Sequence, residues 1–152
     1  MRSAPVSVRA QAIRLLARRE YARSELEQRL IAKGAPRNDL GPVLDELIAQ
    51  GYLSDARYAQ AMAAQKAGGY SRRSIAEALK SKGVASTHIE RALAEAETDD
   101  DRVLRALWQR RFGGPPVDER EKARQIRFLQ TRGFALSAIL KLLREAARSS
   151  DA

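Results

Sequence analysis

A glycine that returns about every fifty residues, with the same kinds of neighbour each time, constrains this chain more than any other feature. Gly34, Gly83 and Gly133 lie 49 and 50 residues apart. One position before each stands a cation (Lys33, Lys82, Arg132), and four before each a leucine (Leu30, Leu79, Leu129). Four positions after come Asn38, Thr87 and Ser137, residue types that cap helix N-termini. Six after is apolar (Leu40, Ile89, Ile139) and ten after is leucine (Leu44, Leu93, Leu143). Eleven before is another cation (Arg23, Arg72, Lys122), and thirteen before the first two anchors is a tyrosine (Tyr21, Tyr70). Self-similarity on so long a period marks a tandem array.

The register has a physical reading. The leucine and the cation close a helix, and the glycine takes the left-handed position beyond it, which a Cβ would strain. The cation faces the negative end of that helix's dipole. After a short loop a capped helix begins, and its leucines face back onto the first. Apolar residues follow the 3.6-residue period almost throughout, as in Leu40, Val43, Leu44, Leu47 and Ile48, with no sustained strand alternation. Gly and Pro punctuation then predicts about nine helices, at 6–19, 24–33, 39–50, 55–66, 72–82, 87–97, 100–111, 118–131 and 137–147. The expected fold is all-α: three tandem three-helix repeats at 6–53, 54–98 and 99–148. Each repeat is too small for a secure core, so stacking into an elongated, curved solenoid is expected. The loop from Phe112 to Pro116 is the main irregularity and is expected to let the third repeat swing.

Charge narrows the choice of partners. The 152 residues hold 28 Lys and Arg against 19 Asp and Glu, a net charge of +9. Residues 1–33 carry net +5, residues 34–100 net −2 and residues 101–152 net +6, with an acidic belt from Glu90 to Asp101 between the two basic ends. Such a field attracts polyanions and acidic protein surfaces. Cysteine is absent and His88 is the single histidine, which excludes disulfides, thiolate metal sites and histidine pairs. No apolar run approaches the roughly 18 residues of a membrane span. No apolar signal core follows Met1-Arg2-Ser3-Ala4-Pro5. The cytoplasm is the expected compartment, and a monomer without membrane contact the expected state.

Catalytic constellations do not emerge. Gly68-Gly69-Tyr70 lacks the preceding strand and the following Lys-Ser/Thr of a phosphate loop, and reads as a helix end and turn. Asp99-Asp100-Asp101 reads as helix capping and dipole compensation rather than a cation site. Trp108 continues an apolar stripe and reads as core. No enzymatic activity, metal or cofactor is expected.

The stretch Gly51-Tyr52-Leu53-Ser54-Asp55-Ala56-Arg57-Tyr58-Ala59, followed by Gly69-Tyr70 and by Ile75, Leu79 and Lys82-Gly83-Val84, resembles the RecX family. Tyr21-Ala22-Arg23-Ser24-Glu25-Leu26, with Leu30 and Lys33-Gly34, is similar to that family's first repeat. The likeness spans about 20–145. One departure is Ser71, near a site where the family often has glycine. The resemblance implies tandem three-helix repeats and a regulator of the recombinase RecA. Such a regulator lies in the groove of the RecA–single-stranded-DNA filament and impedes ATP hydrolysis, strand exchange and filament growth.

On that reading the expected partner contacts are Arg57, Tyr58, Lys66, Arg72, Arg73 and Lys82 of the middle repeat. The two pairs Arg57-Tyr58 and Arg72-Arg73 each open a helix beside a turn. The rival is direct DNA binding through a helix-turn-helix. The third helices of repeats one and two offer Asp39, Asp45 and Glu46, and Glu90, Glu95 and Glu97, which phosphates repel. Only the last helix, with Lys141, Arg144 and Arg148, suits a nonspecific phosphate contact.

Overall fold

The computed structural model describes residues 6–151; the chain start at 1–5, used above for the signal-peptide expectation, lies outside the described residues. The described residues form nine α-helices and no strand. They are α1 (Val8–Leu16), α2 (Arg23–Ala32), α3 (Leu40–Ala49), α4 (Asp55–Lys66), α5 (Arg72–Ser81), α6 (Ser86–Ala96), α7 (Asp100–Phe112), α8 (Glu119–Thr131) and α9 (Leu136–Asp151). A 3-10 turn, Arg37–Asp39, leads into α3.

The recurring glycine ends α2, α5 and α8 in the same way. Gly34, Gly83 and Gly133 have φ of +99°, +77° and +92°. The amide of the next residue reaches back to the leucine carbonyl: Ala35 to Leu30 at 3.1 Å, Val84 to Leu79 at 3.2 Å, Phe134 to Leu129 at 3.3 Å. The glycine amides bond to Ile31, Lys80 and Gln130 at 2.9, 2.9 and 3.0 Å. These paired bonds are a Schellman motif, whose residue after the glycine packs back on the helix. Val84 and Phe134 are accordingly buried, as are all three leucines.

The expected caps at Asn38, Thr87 and Ser137 are corrected. Asn38 lies within the 3-10 turn, while Thr87 and Ser137 are the second residues of α6 and α9. In the second and third repeats the Schellman turn drops Val84 or Phe134 into the core at once, and the next helix starts two residues sooner than a cap at Thr87 or Ser137 would place it; in the first, the 3-10 turn intervenes and α3 starts at Leu40. Helix α1 is shorter than expected, because Ser7 caps it by accepting the Ala10 amide at 3.1 Å and Ala17 ends it.

The chain divides into two compact units. The first holds the described residues up to Met62 together with Leu79–Ala92, and the second holds Ala63–Ala78 together with the described residues from Leu93 onward. In the first, Leu26, Leu30, Leu40, Leu44 and Leu47 are wholly buried. In the second, Leu104, Leu129 and Ile139 pack with Trp108 and Phe134. The loop after Phe112 is tied by a buried side chain. It lies inside the second unit, where buried Gln125 accepts the Trp108 indole N–H at 2.9 Å and donates to the Gly114 carbonyl at 3.2 Å.

Candidate partner-binding surface

Polar contacts between α2 and the α4–α5 segments assemble a charged site in the first unit. The Arg23 amide, at the start of α2, donates to Asp55 Oδ1 at 2.8 Å, and Asp55 is the first residue of α4. Ser24 Oγ donates to the Lys82 carbonyl at the end of α5. Around this contact each cation meets a carboxylate. Lys82 Nζ stands 3.6 Å and Arg19 Nη1 3.1 Å from Glu25, and Arg57 Nε donates to Glu20 at 3.0 Å. The Arg19 guanidinium lies 3.6 Å from the Tyr21 ring centroid. Its bond to Glu25 raises the Arg19 pKa above its ordinary value. Burial, reinforced by the negative charge of Glu25, raises the Tyr58 pKa.

The second unit repeats the contact with different chemistry. The Arg72 amide, at the start of α5, donates to Asp100 Oδ1 at 2.9 Å, and Asp100 is the first residue of α7. The Ser71 amide donates to the Arg132 carbonyl at 2.9 Å. Ser71 is 2% exposed, and its Oγ accepts the Ser74 amide at 3.1 Å, so the serine that departs from the family pattern caps α5. Beside it, cations and rings alternate. Lys66 lies 4.5 Å and Arg132 4.8 Å from the Tyr70 centroid; Arg132 lies 5.2 Å and Arg111 4.9 Å from the Phe128 centroid. The Phe112 ring meets Phe128 edge-on, with centroids 5.6 Å apart. None of the described ion pairs includes Lys66, Arg110, Arg111 or Arg132.

The sequence-predicted contacts occupy unlike places. Arg57, Tyr58 and Lys82 belong to the first unit, where Tyr58 is 5% exposed and Lys82 and Arg57 are held by Glu25 and Glu20. Lys66, Arg72 and Arg73 belong to the second. Arg72 Nη1 donates to the carbonyls of Leu93 and Thr98 at 3.3 and 3.0 Å, clamping the end of α6. Arg73 is highly exposed and pairs only one helical turn away with Glu77, at 3.1 Å. Lys141, Arg144 and Arg148 are exposed on α9. Glu145 among them pairs with Arg105 of α7, and that bond lowers its pKa. Sequence reasoning missed Arg111, Phe128 and Arg132 as one group. Its signal was present: Lys66–Tyr70 and Phe128–Arg132 are each a cation and a ring four residues apart on or beside a helix.

Comparison with known proteins covers the whole array. Family models described as the first, second and third three-helix domains of RecX match residues 9–47, 54–93 and 99–143. The chain is 45% identical over 141 residues to a protein named Regulatory protein RecX from Pseudomonas savastanoi pv. phaseolicola, covering 91% of each. It is 38% identical over 146 residues to one of that name from Leptothrix cholodnii, covering 96% of this chain and 93% of the relative. Its fold is similar to the crystal structure of RecX from Lactobacillus salivarius, with TM-score 0.63 and 18% identity over 92% of this chain and 94% of that one. With all three repeats matched in order, the chain belongs to the RecX family.

Proposed function

We propose that this protein is a non-enzymatic regulator that binds RecA and the RecA–single-stranded-DNA filament. There it inhibits ATP hydrolysis, strand exchange and filament extension. It acts as a cytoplasmic monomer through three repeats at 6–53, 54–98 and 99–148. The observation that carries the reading is the likeness, along nearly the full length, to proteins named as regulators. The polar groups support it: Asp55, Asp99 and Asp100 cap helix amides, while an exposed set of cations is left for a partner. Contacts spread over several repeats combine into tight binding to a polymer even when each is weak. Of the contacts assigned to Arg57, Tyr58, Lys66, Arg72, Arg73 and Lys82, Arg73 and Lys66 are the best placed to meet a partner without breaking an internal bond between repeats.

The test adds the protein to preformed RecA filaments and follows ATP hydrolysis. Inhibition below one protein per recombinase subunit is expected, and Arg73→Glu weakens it while helicity is unchanged. Unaffected filaments, together with steeply salt-dependent binding to naked DNA that Lys141→Glu and Arg144→Glu abolish, would replace this reading with nonspecific phosphate binding.

A further inference from the structure

The two tyrosine-bearing junctions are copies of one design, and one of them lacks its acids. Counting back from the recurring glycines, Glu20 and Glu25 of the first unit correspond to Gly69 and Ser74 of the second. Tyr21 corresponds to Tyr70, and Lys82 to Arg132. In the first unit the carboxylates sit against Arg19, Arg57 and Lys82. In the second the cations and rings remain without ion-paired acids.

We infer that the alternating Lys66–Tyr70–Arg132–Phe128–Arg111 surface is a docking site for an acidic segment of a protein partner, whose carboxylates neutralise these cations as Glu20 and Glu25 neutralise those of the first unit. This deepens the regulator reading by naming a surface and a chemistry, and rests on it only in taking the partner to be a protein. Three observations favour carboxylates. The fold itself shows one side-chain carboxylate, that of Glu25, seated against the corresponding cation, Lys82, in the sister junction. A Cβ added at Gly69 would stand 3.6 Å from Arg132 Nη1, an ordinary contact, so there is room for an acid beside that guanidinium. Cations already cover Tyr70 and Phe128, which removes the bare ring faces that single-stranded nucleic acids stack upon. Arg132 Nη1 donates one N–H to the Gly69 carbonyl at 3.4 Å; what the surface still offers is the remaining N–H groups of Arg132 and Arg111, and guanidinium groups pair well with carboxylates.

The probe is a labelled poly-glutamate peptide, titrated with the full chain by fluorescence anisotropy beside oligothymidylate of matched charge. No recombinase is present, so the outcome is independent of whether filaments are inhibited. The expected result is saturable peptide binding that Arg111→Glu weakens by about tenfold or more. Gly69→Glu, which restores the first unit's acid, is expected to weaken it similarly while leaving the helical circular-dichroism signal unchanged. Lys66→Gln, in case the charge reversals perturb folding, gives a smaller loss in the same direction. Absence of saturable binding, or peptide affinity untouched by Gly69→Glu in a folded protein, overturns the inference. So does tighter binding of oligothymidylate that depends on the same residues, since the surface would then serve phosphates.

Discussion

The junction at Tyr21 and the junction at Tyr70 use one backbone plan, but acids neutralise the cations only at the first. In both, the amide of an arginine opening the second helix of a repeat is capped by the aspartate that begins the next repeat. In both, the start of that helix bonds to the carbonyl preceding a recurring glycine. The first surrounds the plan with Glu20 and Glu25; the second surrounds it with unpaired cations stacked on rings. The difference teaches that backbone capping holds repeats together, while the side-chain charges around it are free to diverge. Exposed ion pairs contribute only about 0–1 kcal/mol each, so losing the acids costs little stability and leaves a charged surface.

The contrast is broken most forcefully at the glycines. A Cβ on Gly133 would overlap Ser71 Oγ and Ser74 Cβ; on Gly83 it would come within 3.4 Å of Ser24 Oγ; on Gly34 it would meet nothing within 4 Å. All three substitutions to alanine carry a left-handed penalty of about 1–2 kcal/mol. Gly133→Ala adds overpacking and is expected to cost about 3 kcal/mol or more in total. Urea unfolding of the three variants is expected to rank them Gly133, Gly83, Gly34, and equal losses would show that the second junction is no tighter than the first.

A step below in magnitude, Arg72→Ala removes two side-chain bonds at the end of α6 and is expected to cost about 1–2 kcal/mol. Its neighbour Arg73→Ala is expected to stay within about 0.5 kcal/mol. The same unfolding measurement separates them, and a reversed order would move the clamp off Arg72. Smaller still, Glu25→Gln frees Arg19 and Lys82 at a cost of about 1 kcal/mol or less. Combined with Glu20→Gln, it is expected to create a second binding site for poly-glutamate in the anisotropy titration. An unchanged stoichiometry would mean that the acids are not what distinguishes the junctions.

The smallest effect is one of pH. Glu145 is held below its ordinary value of 4.5 chiefly by its bond to Arg105. A depressed carboxylate contributes stability that is complete above the unfolded-state value and disappears as pH falls through the folded-state one. The urea midpoint is therefore expected to fall more gently on acidification in Glu145→Gln than in the parent. Identical acid limbs would place the linkage elsewhere.

Much of the fold was legible because its signals are local. Leu30, Leu79 and Leu129 announce the helix ends, and the glycines after them take the conformation that their type allows. Thr87 and Ser137 look like caps by residue type, but the burial of the apolar Val84 and Phe134 just before them starts the next helix early. The candidate surface was less legible. Arg72 reads as an exposed cation until the carbonyls of Leu93 and Thr98, 21 and 26 residues away, are seen around it. Lys66 and Tyr70 stood out in the sequence, but Arg111 and Arg132 join them only through packing across more than forty residues.

The hydrogen bond from Trp108 to Gln125 gives the molecule a built-in optical gauge. Trp108 is the chain's sole tryptophan and lies in the second unit at 7% exposure. Indole emission during denaturation therefore registers the melting of that unit alone, whereas the far-ultraviolet signal registers every helix. Any gap between the two curves reads directly as independence of the halves, without a label having to be introduced.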